Sequence, residues 1–374
     1  MKRAVIISCF NWYQSRLKPV RSLLMENGYE VTVLIADFEH INHTPVKYRF
    51  PECTYVKVPE YKKNLSVQRI RSHLVFSRKA EKIIREIKPD FIYCQIPPNN
   101  AAKRCAAYKR KHPDVKLIYD LIDMWPESMP LGKMQDTLPA KKWRSWRDKS
   151  LGCADHVFTE CDLYQEKLKS VLDPEKTSTL HLCKNQTKEE RVLVEEIIGA
   201  PKSDSVLRFA YLGSMNNIID IEGICRVIDS FIARGNMCEL HAIGDGESRE
   251  RFEDAVKKTG CSTYFYGRIY DETQKIRTLA PCDYAFNMMK GEVSVGLTTK
   301  SMDYLSYGLP LINSIKGDTW TMVDKSGIGI NVDSKFSLKE QEHIDRKDIL
   351  NFFDRHFSSQ AQSATLAEAF SDII

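Results

Sequence analysis

The stretch 296–313, GLTTKSMDYLSYGLPLIN, has residue types spaced to hold an anion. The pattern predicts a helix starting at Thr298 or Thr299, whose first backbone N–H groups have no partner inside the helix. Such an end attracts phosphate through its free donors and its dipole. Lys300 adds a positive charge there, and Asp303, three residues on, lies on the same face. A carboxylate so placed can accept hydrogen bonds from two ribose hydroxyls while the helix end holds a diphosphate. Gly308-Leu309-Pro310 then stops the helix and opens a strand. Read without a ligand, the segment is an ordinary helix with an exposed Lys–Asp pair of little energetic weight.

A second candidate is YDLIDMWPES, 119–128. A strand is expected to end near Asp123, and the loop that follows overhangs the carboxyl end of a sheet. Asp123 there can orient or deprotonate a hydroxyl, with Glu127 as the substitute. Otherwise Asp123 caps a turn and Trp125 packs. His40 and His43 fall in a loop without a carboxylate cluster, and no Asp-x-Asp run is present, so no metal is expected. No cofactor is called for.

These residues need a scaffold, and the chain alternates strand and helix throughout. Apolar runs at 4–8, 31–36, 91–95, 115–123, 156–160 and 179–183 read as strands, with helices at 17–27, 65–87, 99–111 and 139–150. A charged stretch at 184–204 with a short helix reads as a linker. The pattern then restarts with strands at 206–213, 238–244, 263–268, 283–288, 309–314 and 328–333. Helices at 221–235, 248–260, 271–280, 299–307, 338–356 and 361–373 complete it. Alternation of this kind predicts an α/β protein of two Rossmann-like domains, with parallel sheets facing each other across a cleft. The domains are expected at 1–185 and 186–357, with a helix at about 358–374 packing back on the first. Ligands in such sheets sit at the carboxyl ends of the strands.

Composition narrows the class. The 374 residues are 43% hydrophobic and 28% charged, as in a folded protein. No run approaches the roughly 20 apolar residues that span a bilayer. The first apolar run ends at Asn11-Trp12 without a cleavage site, so it reads as a strand and not as a signal peptide. The 11 cysteines show no C-x-x-C spacing and read as reduced, buried thiols. Charge is uneven: residues 1–150 carry 29 Lys+Arg against 15 Asp+Glu, a net +14, and residues 151–374 carry 26 against 35, a net −9. Basic residues gather at 57–85, including Arg69, and at 103–111. At 141–147, Lys141, Lys142, Arg144 and Arg147 alternate with Trp143 and Trp146. Basic residues with tryptophan suit an anionic membrane surface. No nucleic-acid-binding motif accompanies them, so nucleic acid is not expected as a partner.

The run Lys300-Ser-Met-Asp-Tyr-Leu-Ser-Tyr-Gly-Leu-Pro-Leu-Ile resembles the nucleotide-binding signature of glycosyltransferase family 4 and related GT-B enzymes. That resemblance implies a donor-binding second domain, with Asp303 on the ribose where relatives have Glu, and Lys300, Thr298 and Thr299 at the diphosphate. FAYLGSM (209–215) is similar to the turn that opens the family's second domain, which implies Gly213 and Ser214 near the phosphates. LHAIGDGE (240–247) resembles its Gly-x-Gly strand end, with Gly244. FYGRI (265–269) resembles the segment at the base, with Gly267 and Arg268. Two departures stand out. The Arg/Lys pair that many relatives place after the Gly213 position is absent, which leaves Lys300, Lys290 or Arg268 to supply the charge. The upstream Glu of the family's Glu-x7-Glu pattern would fall at Val295, with Glu292 nearby as a residue facing the sugar. The loop at Asp123 is similar to the Asp-x-Trp-Pro-Glu loop of bacterial surface-polysaccharide transferases. Together these imply a metal-independent hexosyltransferase using a UDP-sugar and a lipid-linked or polysaccharide acceptor, with retained anomeric configuration. It would be a cytoplasmic protein, peripheral on the inner face of the membrane, of capsule or exopolysaccharide biosynthesis. A catalytically silent partner of another transferase and a nucleotide-sugar epimerase of the same fold are the alternatives.

Overall fold

The computed structural model describes residues 1–11, 13–129, 131–202, 205–291, 295–333 and 344–374. The chain forms two compact units, residues 1–182 with 362–374, and residues 183–361. The domains expected from the sequence divided at 185/186 and 357/358.

Unit 1 begins with β1 (Lys2–Ser8), α1 (Lys18–Glu26) and β2 (Tyr29–Ala36). A short antiparallel pair follows, β3 (Phe38–Glu39) with β4 (Thr44–Pro45), then β5 (Cys53–Val56) and α2 (Val67–Ile87). Next come β6 (Phe91–Ile96), α3 (Asn99–Lys111), β7 (Lys116–Leu121), α4 (Leu138–Leu151), β8 (His156–Thr159), α5 (Asp162–Leu168) and β9 (Thr177–Thr179). The parallel sheet has the order β5-β2-β1-β6-β7-β8-β9. The first strand shows why a continuous apolar run is needed. Val5 and Ile7 pack on one face with Phe76 and Cys105, while Ala4 and Ile6 pack on the other with Val20 and Leu24. A strand covered on both faces has no polar side to show. Ser66 caps α2 by accepting from the Arg69 N–H, and Lys88, in the left-handed region at φ 50°, ends it before Pro89.

Unit 2 holds α6 (Lys188–Gly199), β10 (Leu207–Leu212), α7 (Ile221–Ile232), β11 (Cys238–Ile243), α8 (Arg249–Lys258), β12 (Ser262–Phe265) and α9 (Glu272–Leu279). It continues with β13 (Tyr284–Asn287), α10 (Thr299–Ser306), β14 (Leu311–Asn313), α11 (Asp318–Ser326), β15 (Gly329–Asn331) and α12 (Arg346–His356). Its parallel sheet, β12-β11-β10-β13-β14-β15, has the strand order of a nucleotide-binding Rossmann domain. The last helix, α13 (Ser359–Ser371), returns to unit 1, where Leu366 and Phe370 join the face built by α1.

Several expected elements shift or are added. The strand expected at 179–183 lies at Thr177–Thr179 instead. The carbonyls of Leu180 and His181 accept hydrogen bonds from Arg16 at 2.7 and 2.8 Å, so they are not free to extend a ladder. Arg16 is fully buried against Asp120, which also accepts from Gln95. The strand expected to reach 123 stops at Leu121. The helix expected from 338 begins at Arg346 behind its cap Asp345, and 338–343 lie outside the described residues. β5, α5, α11 and the β3–β4 pair were not expected. None of the 11 cysteines is in a disulfide.

Candidate functional site

In unit 2 the chain order reverses between β10 and β13, with later strands added on opposite sides. A crevice outside the carboxyl ends forms at such a reversal. The turns leaving three strands meet there. The Gly213 N–H donates to Ile243 O at 3.0 Å, the Gly244 N–H to Gly267 O at 2.7 Å, and the Met215 N–H to Asp245 O at 2.9 Å. Gly244 is required on two counts. Its φ is +141°, and a Cβ there would lie 1.9 Å from the Gly213 carbonyl oxygen. Gly213, at φ +131°, leaves its own face bare: among the described residues an added Cβ would meet only Lys300 Cδ within 4 Å, at 3.9 Å. Ser214 beside it is exposed.

α10 starts against the same strand ends. Thr298 caps it, accepting from the Ser301 N–H at 3.3 Å, and Thr299 is exposed. The Thr298 hydroxyl donates to Asn287 Oδ1 at 2.9 Å. Asn287 donates to Asn313 at 2.9 Å, and Asn313 to Asn331 at 2.8 Å. These asparagines sit in register on β13, β14 and β15, and Asn287 and Asn313 are fully buried. The buried Tyr304 hydroxyl accepts from the Leu212 N–H at 2.6 Å, which ties the helix to the residue before Gly213. At the far end, Arg346 donates to the carbonyls of Tyr307 and Gly308, which end α10.

Lys300 is half-buried, with Nζ 5.1 Å above the Tyr211 ring. Burial lowers its ammonium from 10.5 to about 8. Among the described residues no carboxylate lies within ion-pair distance of it. Asp303 turns instead to Lys184, whose ammonium donates to Asp303 Oδ1 at 2.5 Å and to Glu272 at 2.6 Å. Tyr307 donates to Glu272 at 2.6 Å. Burial alone would raise the Glu272 carboxyl, but Lys184, Lys275 and Tyr307 hold it at about 2. The surface Lys300–Asp303 pair open to a plain reading of the sequence is therefore absent: Asp303 pairs with Lys184, and Lys300 lies over the Tyr211 ring. Lys184 fell in the expected linker, and nothing in its local sequence marks it.

The other candidates are less close. Arg268 is largely exposed, with Nε 3.6 Å from Asp245. Lys290 lines a cavity of about 380 Å³ with Asp220, Glu222 and Arg251, whose walls do not include Gly213, Lys300 or Asp303. Glu292 lies outside the described residues.

In unit 1, Asp123 is half-buried in the loop after β7. Its carboxylate accepts from Trp125 Nε1 at 2.5 Å and from the Ser128 hydroxyl. Burial raises its carboxyl above the ordinary value, against the pull of those two donors. Glu127 is a clamp. Arg147, fully buried, donates to both its oxygens at 2.6 and 2.9 Å, and Arg144 lies 2.9 Å away. Two residues counted in the basic surface of the sequence are thus interior: Arg147 here, and Arg69, 6% exposed, under Trp125. Arg104 and Lys109 pair with Glu81 and Asp155. Among the described residues no cluster of three His, Cys, Asp or Glu is placed to hold a metal.

No family model matches the sequence, and no curated protein matches it. Solved structures do match. Sucrose-phosphate synthase from Thermosynechococcus elongatus superimposes with a TM-score of 0.64 at 13% identity, covering 100% of this chain and 99% of that one. The lipopolysaccharide outer core galactosyltransferase WaaB matches at 0.61 and 16%, and HepE of Anabaena, in complex with UDP and glucose, at 0.57 and 10%. Both cover 100% of both chains. At these identities the likeness defines the fold: the chain has the GT-B fold of two Rossmann-like units.

Proposed function

We propose that the chain is a metal-independent glycosyltransferase of the family 4 type. In this reading unit 2 binds a nucleotide-sugar, a UDP-sugar, and unit 1 presents the acceptor. The observation that carries it is Lys300, a half-buried cation without a carboxylate partner among the described residues, set against the bare face of Gly213 at the start of α10. A buried charge left unpaired is costly, and an anionic ligand relieves that cost. The diphosphate lies against Gly213 and Ser214, held by Lys300 and the N–H groups of Thr299 and Lys300. This arrangement takes the place of the Arg/Lys pair missing after Gly213. As the sugar leaves, the same donors stabilise the charge growing on the diphosphate. Asp303 Oδ2, which Lys184 does not use, accepts from the ribose, and Gly267 and Arg268 flank the base. HepE, with the same fold, was solved with UDP and glucose.

The reaction retains the anomeric configuration, and Asp123 orients the acceptor hydroxyl. Glu127 holds the loop in place. The acceptor is a lipid-linked or polysaccharide glycan of surface-polysaccharide synthesis, reached from the inner face of the membrane. Support comes from the start of α2, where Leu65, Val67 and Ile70 are exposed beside exposed Lys62, Lys63 and Arg71. Met134 and Leu138 are exposed beside Lys133, Lys141 and Lys142. Apolar side chains among cations suit a headgroup layer. No helix of the described residues is long and apolar enough to cross a membrane.

The test is UDP release from a panel of UDP-sugars with membrane acceptor extract. Acceptor-dependent release supports the proposal. Tight UDP binding without turnover points to a silent partner, and conversion of a UDP-sugar without acceptor points to an epimerase.

A further inference from the structure

Unit 1 has its own strand reversal, between β1 and β6. Phe10 follows β1, Asn99 follows β6 and Trp125 follows β7, so their loops meet at the carboxyl ends where ligands bind. Phe10 and Trp125 stand edge to face at 5.9 Å, and Asn99 donates to Trp125 O at 2.8 Å. Two residues of α2, one turn apart, lie on the Trp125 ring. The Arg69 guanidinium is 4.1 Å from the ring centroid, and His73 stacks parallel to it at 5.4 Å.

The charge there has no ion-pair partner among the described residues. Arg69 is 6% exposed, donates from Nη1 to Asn64 O at 3.3 Å and lies against the Tyr61 hydroxyl, while its Nε is buried without a partner among the described residues. His73 is 4% exposed, and its Nε2 is likewise unpartnered. The groups around Arg69 do not balance it. Burial holds Cys9 and Tyr61 protonated, each pushed up to about 12. It holds His40 and His73 neutral, at about 4 and 3. Among the described residues the acid nearby is Asp123. It lies beyond ion-pair distance of Arg69, and its oxygens already accept from Trp125 and Ser128. A buried guanidinium without a carboxylate partner is costly, and its planar fork matches a carboxylate or phosphate.

We propose that Arg69, stacked on Trp125 beside Asp123, is a subsite for an oxyanion carried by the acceptor. The oxyanion is the carboxylate of a hexuronic acid or the phosphate of a phosphorylated glycan. The inference rests on the reading of unit 1 as the acceptor unit. It adds the acceptor's class: an acidic sugar, held so that a hydroxyl near its acid group faces Asp123. A neutral sugar would leave the guanidinium bare.

The experiment measures binding of D-glucuronate, glucose 1-phosphate and D-glucose to the full chain by calorimetry. UDP is present at saturation, so that phosphate in unit 2 does not contribute. UDP affinity is measured separately for every variant. A charge-assisted pair predicts that glucuronate or glucose 1-phosphate binds at least about 10-fold tighter than glucose. Whichever of the two shows the preference identifies the oxyanion. Arg69→Gln should abolish the preference, leave UDP affinity unchanged, and melt no lower than the wild type, because it removes a buried charge. Arg69→Lys should keep part of the preference, and it decides the matter should Arg69→Gln fail to fold. Equal binding of the three sugars, no binding of any, or a preference that survives Arg69→Gln overturns the proposal. Loss of UDP binding in the wild type would instead count against the donor site in unit 2.

Discussion

Replacing Lys300 with methionine should make the free protein more stable and a worse binder of UDP. Methionine keeps the length and apolar stem that pack over Tyr211 but removes the charge. The fold lowers the ammonium from 10.5 to about 8, so it disfavours the charged form. A difference of that size is worth up to about 3 kcal/mol. Below pH 8 lysine is charged in both folded and unfolded chains, and the penalty is present in full. Between pH 8 and 10.5 the unfolded chain binds the extra proton, so wild-type stability rises with pH. Above 10.5 both states are neutral and the penalty is gone. Lys300→Met should therefore melt roughly 4–8 °C higher at pH 7, for about 2 kcal/mol recovered in a unit of this size. The gap should close as pH approaches 10.5. With UDP the order reverses. Losing one charge-assisted contact to phosphate costs about 1.5–3 kcal/mol, or roughly 10- to 150-fold in affinity. Differential scanning fluorimetry across pH, with and without UDP, reads both effects. A variant that melts below the wild type at pH 7 and binds UDP equally well refutes the assignment of Lys300 to an anion.

Four further outcomes follow from the same geometry. Glu127→Gln should lower stability by about 1.5–3 kcal/mol in urea denaturation, since it takes the bidentate carboxylate from buried Arg147 and leaves Asp148 as its acidic contact, whereas Asp123→Asn should lower kcat with a near-wild-type melting temperature. Gly244→Ala should destabilise by more than about 2 kcal/mol and weaken UDP binding, because its Cβ would meet the Gly213 carbonyl at 1.9 Å. Replacing Leu65, Val67 and Ile70 together by serine should reduce flotation with anionic liposomes while leaving UDP affinity unchanged, and undiminished flotation would place any membrane contact elsewhere.

The alternation of buried strand and helix was legible because strands such as β1 and β6 are covered on both faces and read as mostly apolar runs. β5 was not, since a four-residue edge strand shows no such run. α11 was not, because its mixed polar sequence begins after Gly317 at φ 99° without a side-chain cap. The start of α10 and the turn at Gly213 could be read from local spacing. Lys184 could not, because it reaches Asp303 from 119 positions away. The asparagine chain from Asn287 to Asn331 depends on strand register, which no single segment states. Arg69 was read as surface charge, since an arginine in a basic helix gives no sign that an aromatic loop closes over it.

The central claim is that unit 2 grips a nucleoside diphosphate by its phosphates and its ribose. Titrating UDP and inorganic pyrophosphate into the wild type and Asp303→Ala by calorimetry tests both grips together. UDP should bind the wild type more tightly than pyrophosphate does. Asp303→Ala should lose roughly 10-fold for UDP and nothing for pyrophosphate, since only UDP carries the ribose. If neither ligand binds the wild type, or if Asp303→Ala binds UDP as well as the wild type does, the claim is wrong.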